Sequence, residues 1–174
     1  MKQNYSNIQE LCMIGLATAI ICIIAPLSIP MPLSVPMTLQ TFIITLVTMI
    51  LGAKWGTTAT FIYIVLGSFG LPIFSNFTGG WQILIGPTGG FILSFPLMAY
   101  IIGHSPNILG LIGAQICNFV CGIVMFCIIT KSSLFVGLTT CVVPFIPITI
   151  IKAYLAYLIG TKIRKRINIF RIVD

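Results

Sequence analysis

Acidic residues are almost absent from this chain: among its 174 residues, only Glu10 and Asp174 are acidic. They lie at opposite ends of the sequence, so no pair of carboxylates is available for general acid/base catalysis. His104 is the only histidine, and the six cysteines contain no CxxC pair. Catalytic triads and metal sites need several such side chains, so we expect no enzyme, no metal site and no bound cofactor. The sequence also lacks a Gly-x-x-x-x-Gly-Lys-Ser/Thr motif, which excludes the P-loop route to ATP hydrolysis.

Charge of either sign is scarce as well. Only 6% of the residues are charged and 58% are hydrophobic, whereas about 25% are charged in an ordinary soluble domain. This composition predicts an integral membrane protein whose surroundings are a lipid bilayer. The net charge of +7 comes mainly from a basic tail at residues 162–174, which holds five of the nine lysines and arginines. That clustering is the positive-inside pattern of a cytoplasmic tail, so we expect no nucleic acid as a partner.

Proline, glycine and polar clusters divide the apolar sequence into six predicted membrane helices within a single domain, residues 1–174. Their predicted ranges are 8–24, 38–51, a stretch that follows a tight turn at 52–56 and ends near 69, 91–102, 108–130, and a last one from Pro147 to just before Lys162. Residues 134–143 are ambiguous. The first residues show no cleavage signature, so we expect the first helix to be retained. The sequence therefore predicts an all-α integral membrane protein.

Two long connections interrupt these helices, a proline-rich one at residues 26–36 and a glycine-rich one at 67–90. Several predicted helices are shorter than the roughly 20 residues of a full span. We therefore expect the connections to be ordered, to dip into the membrane and to cover a cavity. Six segments place both termini on one side, and the basic tail predicts that this side is the cytoplasm. Lys54 and His104 then lie inside, and both connections lie outside together with Lys131.

The glycine-rich connection combines aromatic and polar side chains. It carries Phe74, Asn76 and Trp81, and Phe91 follows directly after it. An apolar wall with a few hydrogen-bonding groups is typical of a small-molecule pocket. The alternative is a structural loop whose aromatic side chains lie at the membrane interface. Composition alone favours neither interpretation.

Lys152 is the most unusual residue, because it lies inside an apolar helix and the core of the sequence offers it no acidic partner. A lysine at that depth destabilises the helix by several kcal/mol unless it finds a partner or water. Thr149 lies three residues earlier on the same face, near the helix start at Pro147. The positive end of the helix dipole also favours an anion there. We therefore predict a carboxylate or phosphate from outside the chain; the alternatives are a neutral lysine or one that reaches the headgroups.

Gly15 and Ala19 lie four residues apart on one face of the first helix. This small-xxx-small spacing lets another helix approach closely. The approaching helix belongs either to the same chain or to a partner protein, and the spacing does not distinguish the two.

Several motifs, taken in order, resemble those of the BioY family. The family comprises the biotin-specific substrate-binding (S) components of energy-coupling-factor (ECF) vitamin transporters. The resemblance spans nearly the whole chain, and the run GPTGGF is its most specific part. The motifs are PMTLQT at 36–41, GLPIF at 70–74, GG at 79–80, GPTGGF at 86–91, PFIP at 144–147 and KA at 152–153.

The resemblance implies a six-helix S component in a bacterial cell membrane, with both termini in the cytoplasm. It implies one biotin bound near the outer face, under the connection between the first two helices. It also implies that the face with Gly15 and Ala19 docks onto a membrane coupling protein that carries two ATPase subunits, so that only partners use ATP. The polar positions of the family's biotin site that it matches are Lys152 and Asn76. The full set of predicted ligand-binding residues adds Thr149, Gln40 and the aromatic side chains Phe74, Trp81 and Phe91, which we expect to pack on the apolar parts of the ligand.

One departure from the family pattern concerns the ligand. The family usually has Gly-Asp after its Pro-Phe-Ile-Pro motif, and this chain has Ile148 and Thr149 instead. Thr149 can still make a hydrogen bond, and we expect Thr149 and Asn76 together to bind the ureido ring of biotin. The alternative ligand is a carboxylate vitamin with a less polar head, such as lipoate. A further alternative is a structural subunit of a membrane complex that binds no ligand and in which Lys152 has no binding role.

Overall fold

The computed structural model describes residues 2–29 and 35–166, in which helices connected by ordered loops dominate. In chain order the elements are α1 (Lys2–Ile24), β1 (Ser28–Ile29), β2 (Met37–Thr38), α2 (Gln40–Ser68), a 3-10 turn (Ser75–Phe77), α3 (Trp81–Leu84), α4 (Gly89–Leu93), α5 (Phe95–His104), α6 (Ile108–Thr130), α7 (Leu134–Cys141), a second 3-10 turn (Val143–Phe145) and α8 (Ile146–Arg166).

Three helical stretches within the described ranges are long and apolar enough to cross a membrane: Gln40–Ser68, Ile108–Thr130 and Leu134–Arg166. Two shorter apolar helical stretches, Ile8–Ile24 and Gly89–His104, accompany them. Because α2 folds back on itself, these stretches provide six helical segments. The predicted all-α architecture with six membrane segments is therefore confirmed, and the protein is a multi-pass membrane protein.

Gly52 divides α2 into two antiparallel halves. Its backbone is non-helical, with φ 81° and ψ −177°, a conformation that is essentially restricted to glycine. The Gln40 side chain bonds to the Tyr63 hydroxyl across the two halves, and a Cβ at Gly56 would lie 2.8 Å from Thr48 Cα. Both pairs are centred near residue 52, as a hairpin requires. The predicted five-residue turn at 52–56 is wrong in extent, because one glycine is sufficient and the helix resumes directly after it.

Two predicted helix ends also need correction. Helix α1 begins at Lys2 rather than near residue 8. Helix α8 does not stop before Lys162 but continues to Arg166. Lysine and arginine are good helix formers and favour the negative end of the helix dipole, so the first part of the basic tail extends the helix. The rest of that tail lies outside the described residues.

The ambiguous residues 134–143 contain a short helix, α7, and the ends of α6 and α7 are capped by side chains. Asn107 accepts a hydrogen bond from the Gly110 N–H at 2.7 Å at the start of α6. Ser133 accepts one from the Val136 N–H at 3.4 Å at the start of α7. Such caps satisfy N–H groups that have no partner inside the helix.

The helices form a bundle with chemically different ends. At one end, which we call the basic end, Lys54 pairs with Glu10 at 3.5 Å, and Gly103 packs so closely on the backbone of Ala53 that a Cβ would not fit. Arg164 and the end of α8 also lie there, beside Met49. The start of α1 and the end of α8 therefore lie at the same end.

At the opposite end, the loop end, two connections are held together. Strands β1 and β2 pair antiparallel, with Ser28 opposite Thr38. Ser28 also bonds to Asn76 in the glycine-rich connection: its hydroxyl donates to Asn76 Oδ1 at 2.8 Å and accepts the Asn76 backbone N–H at 2.9 Å. The described parts of the two predicted loops are thus ordered and hydrogen-bonded to each other.

Candidate functional site

A cavity of about 70 Å³ lies at the loop end, enclosed by the start of α2, by α4 and α5, and by α6, α7 and α8. We call it the loop-end cavity. Its wall is partly aromatic, with Phe91, Phe95 and Phe119, and partly polar, with hydroxyl, amide and ammonium groups. Four of the predicted ligand-binding residues line it, namely Gln40, Phe91, Thr149 and Lys152.

Lys152 is anchored by two uncharged acceptors at the start of the α2 hairpin. Its Nζ donates to the Thr38 carbonyl at 2.9 Å and to Thr41 Oγ1 at 3.1 Å. The sequence predicted a partner from outside the chain, and these internal acceptors were not foreseen. They satisfy two of the three ammonium N–H groups. No described residue accepts the third, and no described carboxylate balances the charge, since Glu10 pairs with Lys54 at the basic end.

Gln40 is a buried part of the cavity wall with a fixed orientation. Its Nε2 donates to the Tyr63 hydroxyl at 2.8 Å, and that hydroxyl donates to the Ile73 carbonyl at 3.1 Å. The chain of hydrogen bonds ties the start of α2 to the glycine-rich connection. The Gln40 side chain thereby helps to hold the cavity together.

Asn76 lies in a different space, which we call the outer pocket. This pocket of about 420 Å³ lies between the two outer connections and the first two turns of α8. Lys152 and Thr38 line both the outer pocket and the loop-end cavity. Asn76 adopts a left-handed backbone conformation with φ 55°, which asparagine tolerates better than most residues. Lys152 therefore lies at the boundary between the two spaces.

Phe74 and Trp81 do not line the loop-end cavity. Phe74 is fully buried and packs edge-on against Tyr63, with ring centroids 5.6 Å apart, and its ring leaves no space for a Cβ at Gly67. Trp81 begins α3 and is 66% exposed. Contact of Phe74 and Trp81 with a ligand stays a prediction.

Two residues of the cavity wall were missed from the sequence. Gln115 and Asn118 on α6 both line the loop-end cavity and are buried. They are amides within an otherwise apolar helix, and polar groups at membrane depth are often functional. The same argument that singled out Lys152 would have found them.

An apolar groove opens sideways between α6 and α8, which make little direct contact. This lateral groove has a volume of about 570 Å³ and is lined almost entirely by apolar atoms. It shares Gln115, Phe119 and Thr149 with the loop-end cavity. These three side chains therefore form the partition between the cavity and the groove.

The predicted docking face of α1 is uncovered in this chain. Gly15 and Ala19 are exposed, and a Cβ at Gly15 would have no atom within 4 Å. The face is therefore not used for packing within the described residues. Its use by a partner stays a prediction.

Known proteins resemble this chain over most of its length. Residues 1–169 match the BioY family. "Biotin transporter BioY2" of Lactococcus lactis subsp. cremoris (strain MG1363) is 32% identical over 165 residues, which cover 89% of this chain and 90% of that protein. "Biotin transporter BioY" of Thermotoga maritima is 45% identical over 95 residues, but this match covers only 55% of this chain and 56% of the relative.

The same fold occurs in a crystal structure of the S-component for biotin from an ECF-type ABC transporter. The two structures superpose with a TM-score of 0.84 at 28% sequence identity, over 93% of this chain and 94% of the other. The helix arrangement is thus that of an ECF S component. Because the family match also spans nearly the entire sequence, this protein belongs to the BioY family.

Proposed function

We propose that this protein is the biotin-binding S component of an ECF transporter and takes biotin across the membrane with partner subunits that hydrolyse ATP. The observation that carries the proposal is the environment of Lys152. Its ammonium lies between the loop-end cavity and the outer pocket, and one N–H has no acceptor among the described residues. Biotin ends in a carboxylate, which supplies both the missing acceptor and the missing negative charge.

The position of Lys152 also suggests how the ligand is accommodated. The loop-end cavity, at about 70 Å³, is smaller than the roughly 300 Å³ of a usual small-molecule pocket. Lys152 and Thr38 separate it from the larger outer pocket. A carboxylate that accepts the third ammonium N–H at this boundary extends the ligand from the loop-end cavity into the outer pocket, so that the two spaces together accommodate it.

The pair of hydrogen bonds between Ser28 and Asn76 closes the outer pocket from the loop end. In this proposal the two connections separate to admit biotin and rejoin above it. Asn76 thereby contributes to binding through the closure of the loops, and its side chain borders the outer pocket, where the carboxylate end of the ligand lies.

The partners and the orientation belong to the same proposal. The exposed face with Gly15 and Ala19 docks onto a membrane coupling protein that carries two ATPase subunits. The basic end, with Lys54 and the end of α8, faces the cytoplasm of a bacterial cell, because basic residues are retained on that side. The loop end then faces outward, where biotin arrives.

Titration calorimetry of the purified protein with biotin, biotin methyl ester and lipoate tests the function. We expect biotin to bind, and the methyl ester to bind at least about tenfold more weakly because a charged hydrogen bond is lost. Lipoate has the carboxylate but lacks the ureido ring, so it should also bind more weakly than biotin. Binding of lipoate in preference to biotin would assign a different vitamin, and binding of none of the acids would support a structural subunit.

A further inference from the structure

Helix α6 presents two amides to the loop-end cavity. Gln115 and Asn118 lie three residues apart, which places them on the same side of the helix. Their side chains are 9% and 3% exposed, within a 23-residue helix that is otherwise apolar. Buried amides in such a helix need hydrogen-bond partners to be tolerated.

The two amides differ in how far the protein satisfies them. Asn118 Nδ2 donates to the Phe91 carbonyl at 3.0 Å and to Ser94 Oγ at 2.8 Å. Both of its N–H groups are therefore used, and Asn118 Oδ1 is left as an acceptor in a fixed position. Gln115, which borders both the loop-end cavity and the lateral groove, makes no hydrogen bond to any residue in the described ranges, so both ends of its amide are available to a ligand.

We propose that Gln115 recognises the ureido ring of the ligand and that Asn118 Oδ1 is a second contact to the same ring. This inference rests on the proposed function. The ring has one carbonyl oxygen and two N–H groups. Gln115 offers a donor for the carbonyl and an acceptor for one N–H, and Asn118 Oδ1 accepts the other N–H.

This assignment places the polar ring against α6, while the carboxylate pairs with Lys152 on α8. It also explains why a helix that faces the bilayer retains an unpaired amide at Gln115. Ligand binding satisfies that amide, and the ring's own polar groups are then not left without partners. The ring lies at the partition beside Thr149, which lines both the cavity and the lateral groove.

Two substitutions and a modified ligand test the role of Gln115. Gln115→Leu removes both hydrogen-bonding groups and should weaken biotin binding by about ten- to a hundredfold. The same substitution should not lower the thermal unfolding midpoint of the ligand-free protein, because it breaks no hydrogen bond to a residue in the described ranges. Gln82→Leu is the control, since Gln82 lies outside the cavity and bonds to the Gly79 carbonyl.

Gln115→Glu should change the ligand preference. 2-Iminobiotin carries a cyclic guanidinium group in place of the ureido group, and a carboxylate pairs with that cation. We expect the Glu variant to bind 2-iminobiotin more tightly than biotin, in contrast to the wild type. A purely structural role for Gln115 would not invert the preference.

Three results would overturn the inference. The first is a Gln115→Leu protein that binds biotin within about twofold of the wild type. The second is a parallel loss of ligand-free stability and biotin affinity, which would assign Gln115 a structural role. The third is a wild-type protein that does not bind biotin at all, and this result would overturn the proposed function as well. If the Gln115→Glu protein fails to fold, the biotin affinity and the thermal unfolding midpoint of Gln115→Leu test the inference.

Discussion

Lys152 is held by groups that carry no charge, and this decides how it interacts with a ligand. The Thr38 carbonyl and the Thr41 hydroxyl orient the ammonium without neutralising it. A carboxylate in their place would compete with an incoming acid. Two opposite unit charges 4 Å apart attract each other by about 4 kcal/mol at an effective dielectric constant of 20. That attraction remains available to the ligand.

Replacing Lys152 tests this interaction directly. In Lys152→Met most of the length of the side chain is kept and the charge is lost, so we expect biotin affinity to fall by about ten- to a hundredfold. The affinity for biotin methyl ester should change little, because the ester presents no charge to the lysine. Calorimetry with both ligands measures the difference, and Lys131→Met, at the exposed end of α6, is the matched control. Equal losses for acid and ester would contradict the pairing.

The candidate site was predictable from the sequence only in part. Lys152 and Thr149 stood out because they are polar residues within an otherwise apolar helix. Both line the loop-end cavity. The acceptor on Thr38 was not predictable, because it is a backbone group 114 residues away whose position depends on β2. Gln115 and Asn118 on α6 are also polar residues within an apolar helix, but they are uncharged and were therefore overlooked.

At the scale of the elements, the α2 hairpin depends on one backbone conformation. Gly52 has φ 81° and ψ −177°, and a Cβ there would meet no atom within 4 Å. The space around this residue would therefore admit a side chain, and only the backbone torsions oppose one.

Gly52→Ala should consequently destabilise the protein by about 1–3 kcal/mol, the usual cost of this backbone region for a non-glycine residue. Gly113→Ala is the control: it also has open space around it, but it lies within α6 and should be neutral or slightly stabilising. The two thermal unfolding midpoints, measured in the same detergent, give the comparison. An unchanged midpoint for Gly52→Ala would show that the hairpin does not need this conformation.

The exposed face of α1 leads to a prediction about the partner. Gly15→Leu and Ala19→Leu add bulk to a face that no described residue covers. We expect both variants to lose copurification with the coupling protein and to retain biotin affinity within about twofold, since close helix approach needs small residues. Gly113→Leu adds the same bulk to another exposed glycine and should retain the complex. Undiminished copurification of both α1 variants would remove this face from the interface.

At the scale of the whole molecule, the charge distribution and the architecture agree. The start of α1 and the end of α8 lie at the basic end, as an even number of membrane segments requires. The outer connections lie at the other end, and the candidate site lies directly beneath them.

Reporter fusions at the C-terminus test the orientation. Green fluorescent protein fluoresces only when it remains in the cytoplasm, and alkaline phosphatase is active only when it is exported. The positive-inside rule predicts a fluorescent first fusion and an inactive second one. The reverse pattern would place the loop end in the cytoplasm and would contradict uptake from outside.

The architecture was more predictable than its details. Apolar segments and glycine or proline breaks located the six membrane segments, because hydrocarbon surroundings allow few alternatives to helix. Helix ends were less predictable: the basic residues from Lys162 onward indicated a tail, yet the first five residues of that tail, 162–166, remain helical. The pairing of Ser28 with Asn76 depends on a contact between distant loops, which no local pattern contains.

The hairpin at Gly52 has a consequence for how the chain is made. Its halves, residues 40–51 and 53–68, extend roughly 18 and 24 Å at 1.5 Å per residue, and the hydrocarbon core is about 30 Å thick. Neither half is long enough to be recognised by the insertion machinery as an independent span. Gln40 is also satisfied only when Tyr63 lies beside it. We therefore expect the two halves to enter the bilayer together, so that Gly52 shapes the biogenesis of the protein as well as its final structure.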